Sequence, residues 1–405
     1  MADRVTVVGW DGSPLSQAAR AALDAATLVA GPTRHLEQLR VPASAERLAL
    51  GSIELAARRI AEHRGAAVVV ADGDPGFFGV VRTLRRPEFG LEIEVLPAVS
   101  SVAAAFARAG MAWEDAQIVS THNRGLRRAV NICRAHPKVA VLTSPGAGPT
   151  ELSLMLRDVH RTFVVCEALG SADENITVLT SDRVADHVWR EPNVVLVVGG
   201  SGRNSATAVS SWLAGRGVDF PGRVRGWALE THAAAEEDDP ELPAAVRALV
   251  LARLGARPGD LVWDVGAGTG SLAVEAARTG AAVIAVERDA DACARIDVEA
   301  RRVGVELQTV PGRGPAALAE LPEPDVVLLR QGGELLRACL ARRPERIVVV
   351  PDGLHQVEEV RRAFSEAGYA VDGTLLQAAP LREPSGGGGG LLGPAQPVFV
   401  LWGDR

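Results

Sequence analysis

Short runs of apolar, β-branched residues alternate along this chain with alanine- and leucine-rich amphipathic stretches, the order that builds parallel sheets covered by helices. Residues 4–9 read as a buried strand ending in Gly9. Gly12, Ser13 and Pro14 then make a turn, and residues 15–26 form a helix capped by Ser13. A short strand at 27–30 is closed by Gly31 and Pro32 and followed by Arg34 and His35. A helix at 52–64 leads into a wholly apolar strand at 66–70, which runs into Ala71-Asp72-Gly73-Asp74-Pro75-Gly76. That loop falls at the C-terminal edge of its sheet, where open α/β sheets bind ligands. A strand at 91–96 precedes Ser100-Ser101 and an alanine-rich helix at 102–109. A second sheet follows, with strands at 139–142, 162–166, 176–179 and 194–198 and a helix at 150–158. The first half is therefore expected to hold two α/β subdomains in series.

Residues 199–221 shift to Gly, Ser and Ala and read as a linker. The expected organisation is a domain at 1–198, a linker at 199–225 and a domain at 226–405. Beyond the acidic run 236–239, a helix at 242–254 opens the second domain. Its strands are expected at 261–263, 283–286, 307–310, 324–329, 346–350, 373–378 and 398–401. The last two flank Ser385 and a glycine run at 386–390, read as a solvated loop with a substrate lid as the alternative.

Candidate chemistry concentrates after the first strand of the second domain. Asp264 is followed by Gly266, Gly268 and Gly270, then by a helix opening near Leu272. Glycines there allow tight turns and close approach to a ligand, and the helix start offers free N–H groups. A dinucleotide site would place its third glycine at position 271, which is serine here. The D-x-G-x-G-x-G spacing instead resembles the S-adenosylmethionine (SAM) loop of Rossmann-like methyltransferases. A glycine-rich turn without a ligand is the alternative. Glu287, seventeen positions after Gly270, suits the ribose hydroxyls of a bound nucleoside.

With 405 residues the chain should hold two or three domains, each with its own core. A net charge of −7 argues against a dedicated nucleic-acid binder. Cys133, Cys166, Cys293 and Cys339 are far apart and read as reduced core thiols, without metal or disulfide spacing. No metal site is expected. No apolar run is long enough to cross a membrane, and residues 1–10 run into a strand without a signal peptide, so a cytoplasmic protein is expected.

Several segments together resemble the tetrapyrrole (corrin and uroporphyrinogen) methylases over about residues 4–198. They are VTVVGWDG at 5–12, ADGDPGFFG at 71–79, LPAVSSVAAAFARAG at 96–110, WEDAQIVSTHNR at 113–124 and CEALGSADENIT at 166–177. Arg34-His35-Leu36 and the Ser-x-His-x-Arg segment Ser120 to Arg124 are most similar to the branch acting on precorrin-6, with Asn123 where that branch has glycine. Residues 226–403 resemble the methyltransferase and decarboxylase module of the same step. The fold implied is an N-terminal tetrapyrrole methylase fold of two α/β subdomains followed by a C-terminal Rossmann-like SAM-dependent methyltransferase domain. The activity implied is methylation of precorrin-6B at C5 and C15 with loss of the C12 acetate carboxylate, giving precorrin-8 in cobalamin biosynthesis. A fusion with one active half or a drifted substrate, and a non-catalytic tetrapyrrole-binding protein, are the alternatives. They are motivated by departures from the family pattern at 236–243, 329–333 and 350–353.

The resemblance places SAM, the one cofactor expected, against Gly73, Asp74, Pro75, Ser100 and Ser101 in the first domain. In the second, Asp264, Gly266, Gly268 and Gly270 take its methionine side, Glu287 the ribose, and Gly312 with Arg313 the adenine. A polycarboxylate substrate calls for arginines, which pair bidentately with carboxylates. Arg34, Arg124 and Arg330 are the candidates on the substrate side, with His35 and His122. No Ser–His–Asp or Cys–His set is needed, and no catalytic acid or base is assigned. A tetrapyrrole is the only partner expected besides a homo-oligomer, which the resemblance alone suggests.

Overall fold

Val5–Trp10 (β1) alternates its side chains between two apolar layers, and that period of two fixes its place inside a sheet. Val5 and Val7 pack with Ala57 and Ile60 of helix α3 (Ile53–Glu62), whereas Val8 packs with Ala19 and Leu23 of α1 (Gln17–Asp24) on the other face. Around β1 lie Leu28–Gly31 (β2), Glu46–Ala49 (β3), Ala67–Asp72 (β4) and Ile93–Leu96 (β5), in the order β3-β2-β4-β1-β5 and parallel throughout. All loops after these strands therefore open on one edge. The expected helix at 15–26 starts later, because the cap is Ser16, whose Oγ accepts from Ala19 N at 3.2 Å. Ser13 is engaged by Asp11 instead.

The second sheet contains the four expected strands and a fifth that the pattern missed, Gln117–Ser120 (β6). With Lys138–Leu142 (β7), Arg161–Glu167 (β8), Asn175–Thr180 (β9) and Asn193–Gly199 (β10) its order is β6-β7-β10-β8-β9. Here β8 and β9 are antiparallel. So are β7 and β10, since Thr143 Oγ1 meets Asn193 O at 2.7 Å and Gly199 N meets Pro137 O at 2.7 Å at the opposite end.

The third sheet has seven strands: Leu261–Val265 (β11), Ala282–Glu287 (β12), Gln308–Pro311 (β13), Val326–Arg330 (β14), Arg346–Val350 (β15), Ala370–Gln377 (β16) and Pro397–Asp404 (β19). Leu381–Arg382 (β17) and Leu391–Leu392 (β18) form a separate two-stranded ribbon. The order β13-β12-β11-β14-β15-β19-β16 places β11 beside β14, where the chain reverses its direction of sheet growth. β19 is antiparallel to both its neighbours. One face is covered by α8 (Ala244–Leu254) and α9 (Ser271–Arg278), the other by α11 (Glu334–Ala341) and α12 (Leu354–Glu366). Helix α10 (Ala290–Val303) follows β12.

This computed structural model describes residues 4–122, 125–199, 214–215, 242–379, 381–382, 391–392 and 396–405. The expected linker at 199–225 lies almost wholly outside the described residues, as do Arg124, the acidic run 236–239 and the glycine run 386–390. The chain divides into two compact units, Met1–Trp113 with Ile118–Asn123 and Ala140–Val198, and Glu114–Gln117 with Arg124–Val139 and Gly199–Arg405. The four cysteines are buried and free. Burial pushes the Cys166 thiol up to about 11 and the Cys339 thiol up to about 12, so both stay protonated at neutral pH. Among the described residues no helix is long and apolar enough to cross a membrane.

Candidate functional sites

The first candidate site lies at the C-terminal edge of the first sheet, where the loops after β1, β4 and β5 interlock. Gly73 N donates to Trp10 O at 2.8 Å, and a Cβ on Gly9 would fall 2.1 Å from Gly73 O. Gly73 itself has φ +54°, and a Cβ there would meet Val99 O at 2.9 Å and Ser101 N at 3.0 Å. Only glycine allows the β4 loop to lie this close against the β5 loop. Gly73, Ser100 and Ser101, expected together from sequence, are thus brought together. Asp74 and Ser100 also hold local structure: Asp74 Oδ1 accepts from Gly76 N at 2.8 Å, and Ser100 Oγ caps helix α5 (Ser101–Ala109) through Ala103 N at 3.1 Å.

Arg34 and His35 sit on the short helix α2 (Thr33–Gln38) at this same edge. Both bind Asp72, the last residue of β4, which the sequence reading did not single out. Asp11 was missed too; its Oδ2 accepts from Val99 N at 3.3 Å and joins the β1 loop to the β5 loop. Its position in the quoted VTVVGWDG segment was the available signal. His122 lies past the end of β6 with Nδ1 3.2 Å from Ser120 Oγ.

The second candidate site is the crevice at the ends of β11 and β14. Gly266, Gly268 and Gly270 all take left-handed φ, at +80°, +58° and +76°. Gly266 N and Ala267 N both donate to Val286 O, at 2.9 and 3.2 Å, and Gly268 N to Glu287 Oε2 at 2.9 Å. Glu287 Oε1 accepts from Arg288 N and Asp289 N at 2.8 and 3.1 Å. Gly312 N donates to Glu287 O at 2.9 Å, so Gly312 closes the same corner. Asp264 is buried in β11 beneath the loop. Arg330 ends β14, and its Nη1 lies 3.2 Å from where a Cβ on Gly268 would be. The next residue, Gln331, holds φ +83°, an uncommon conformation for a non-glycine residue and one that redirects the chain beside the glycine turn. Ser271 Oγ, buried at the start of α9, has no hydrogen-bond partner among the described residues.

A family model described as tetrapyrrole (corrin/porphyrin) methylases matches residues 9–185, and one described as precorrin methyltransferase domain matches residues 236–402. A precorrin-6Y C(5,15)-methyltransferase [decarboxylating] of a Sinorhizobium species is 35% identical over 339 residues, covering 80% of this chain and 77% of its own. The chain belongs to the precorrin-6Y C(5,15)-methyltransferase (decarboxylating) family. Two further relatives each match about half of this chain or less. A cobalt-precorrin-7 C(5)-methyltransferase of Salmonella typhimurium is 35% identical over 207 residues, 48% of this chain and 98% of its own. A "Probable cobalt-precorrin-6B C(15)-methyltransferase (decarboxylating)" of Pyrobaculum calidifontis is 32% identical over 175 residues, 41% of this chain and 89% of its own. Membership accounts for two methylase folds of different kinds in one chain.

Proposed function

We propose that this chain methylates a precorrin at two carbons, C5 and C15, with SAM as donor, and releases the C12 acetate carboxylate as CO2. The first unit methylates C5; the second methylates C15 and decarboxylates. The observation that carries this reading is the presence of two ligand edges, one interlocked around Gly73 and one around the turn at Gly266–Gly270. The residues present fit the donor. Glycine at 266, 268 and 270 keeps the turn itself free of side chains, Ser271 Oγ is a buried hydroxyl with bonding capacity to spare, and Glu287 keeps lone pairs beyond the backbone groups it serves.

SAM supplies a methyl group activated on a sulfonium. The chain's part is to align that group with an electron-rich carbon and to exclude water, and alignment can contribute up to about 7–11 kcal/mol. In the second site Gly266, Gly268 and Gly270 hold the methionine side, Glu287 the ribose, and Gly312 with Arg313 the adenine, above buried Asp264. In the first, Gly73, Asp74, Pro75, Ser100 and Ser101 take the donor. Arg34, Arg330, His35 and His122 face the carboxylate-rich substrate, and the conjugated macrocycle is the electron sink for CO2 loss.

Incubating the full-length protein with precorrin-6B and methyl-labelled SAM should give a product with two methyl gains and one CO2 loss by mass. A single methyl gain would mean that one half works. Donor binding without transfer would leave a tetrapyrrole-binding protein, and absence of donor binding would end the proposal.

A further inference from the structure

His35 is buried at the ligand edge of the first sheet, 5% exposed, with Nε2 2.9 Å from Asp72 Oδ1. The Trp10 indole packs edge-to-face against its imidazole, ring centroids 5.0 Å apart. Asp72 directly precedes Gly73, and its other oxygen is held by Arg34. Burial alone would raise the Asp72 carboxyl; the hydrogen bonds from His35 and Arg34, together with the attraction of their charges, outweigh it and hold the group below its ordinary range. An ionised carboxylate at Nε2 demands a ring proton there, so that whenever the ring carries one proton its lone pair lies on Nδ1. Nδ1 is buried and has no hydrogen-bond partner among the described residues. An unpaired buried nitrogen costs about 1–3 kcal/mol, and such costs concentrate where a site has work for the atom.

We infer that His35 Nδ1 is the proton acceptor of methyl transfer at the first site, with Asp72 as the positioning residue that fixes its tautomer. The inference rests on the reading of the first unit as a C-methyltransferase. As the carbon–carbon bond forms, the carbon–sulfur bond of the donor breaks and its electron pair stays on sulfur. Positive charge passes to the macrocycle, which becomes neutral again by losing the hydrogen of the methylated carbon as a proton. His35 takes that proton on Nδ1, directly or across one water, and the imidazolium is stabilised by the Asp72 carboxylate.

In the full-length protein, His35→Asn should lower methyl transfer by the first unit on the order of 100-fold. The product should then lack one methyl gain while keeping the other methyl and the CO2 loss, and added imidazole should restore part of the rate. Donor affinity by calorimetry should stay within about threefold, since general-base loss acts on the transition state. Independently of turnover, long-range 1H–15N spectra of the histidine-labelled wild-type protein should show His35 as the Nε2–H tautomer, and Asp72→Asn should move the proton to Nδ1. Undiminished transfer in His35→Asn, equal losses of transfer and donor affinity, or an Nδ1–H tautomer in the wild type would each overturn the inference. If His35→Asn does not fold, the wild-type and Asp72→Asn tautomers decide. A wild-type protein that adds only the methyl accompanying CO2 loss would overturn the underlying reading, and this inference with it.

Discussion

Two glycines, one packed against helix α10 and one capping it, show how differently the same backbone conformation constrains the sequence. At Gly270 φ is +76° and a Cβ would lie 2.3 Å from Ile296 Cγ1, a fully buried atom of α10. At Gly304, the αL cap of that helix, φ is +74° but nothing lies within 4 Å. A side chain in the left-handed region costs about 1–2 kcal/mol, and overpacking a core adds about 1–3 kcal/mol. Gly270→Ala should therefore lose about 2–5 kcal/mol in urea unfolding, and Gly304→Ala only about 1–2 kcal/mol. Equal losses would mean that Ile296 yields to the new methyl group. At this scale Glu287 was legible from its distance after the glycine turn. The pairing of His35 with Asp72 was not, because the two come together only when β2 and β4 lie side by side.

Among elements, the helix α6 (Leu126–Ala135) carries a titration that the pattern of apolar residues cannot show. Its C-cap is His136, whose imidazole is pushed down to about 4 by burial, against a smaller opposing effect of a hydrogen bond with the Gly280 backbone. An unfolded histidine takes up a proton near its ordinary 6.5, well before the folded one does. Stability from this group is complete above about 6.5 and is lost as the pH falls from there toward about 4. Unfolding free energies measured at pH 7 and pH 5 should therefore differ less in His136→Gln than in the wild type, by roughly 1–2 kcal/mol. An unchanged difference would mean that His136 is solvated. Strand β3 went unread for a related reason. Its residues are mostly exposed, so no apolar alternation marks them, and pairing with β2 alone makes them a strand.

For the whole molecule, the proposal requires two donor sites in one chain. Calorimetric titration of the full-length protein with SAM should give two sites, and Glu287→Ala should leave one. Losing that carboxylate strips the Gly268, Arg288 and Asp289 N–H groups of their common acceptor, so the glycine turn loses its shape along with the proposed ribose contact. Two intact sites in Glu287→Ala would remove the second pocket from this corner. The first unit's last segment is Ala140–Val198, while Glu114–Gln117 and Arg124–Val139 group with the second unit. Local composition marks where chain character changes; it carries no record of which body a helix packs on.

The sequence by itself determined the α/β class, the positions of most strands along the chain, the two glycine-bearing turns at strand ends and the family. Each of these follows from local periodicity, turn chemistry or residue spacing, which neighbours along the chain impose. The tertiary structure decided the rest: the interlock of the Gly9, Gly73 and Val99 loops, the seating of Arg330 against Gly268, and the Asp72–His35–Trp10 arrangement. Those contacts join segments far apart in sequence. They exist only because sheet pairing brings several strand ends to one edge, where a carboxylate meets a ring that lies far from it in the sequence.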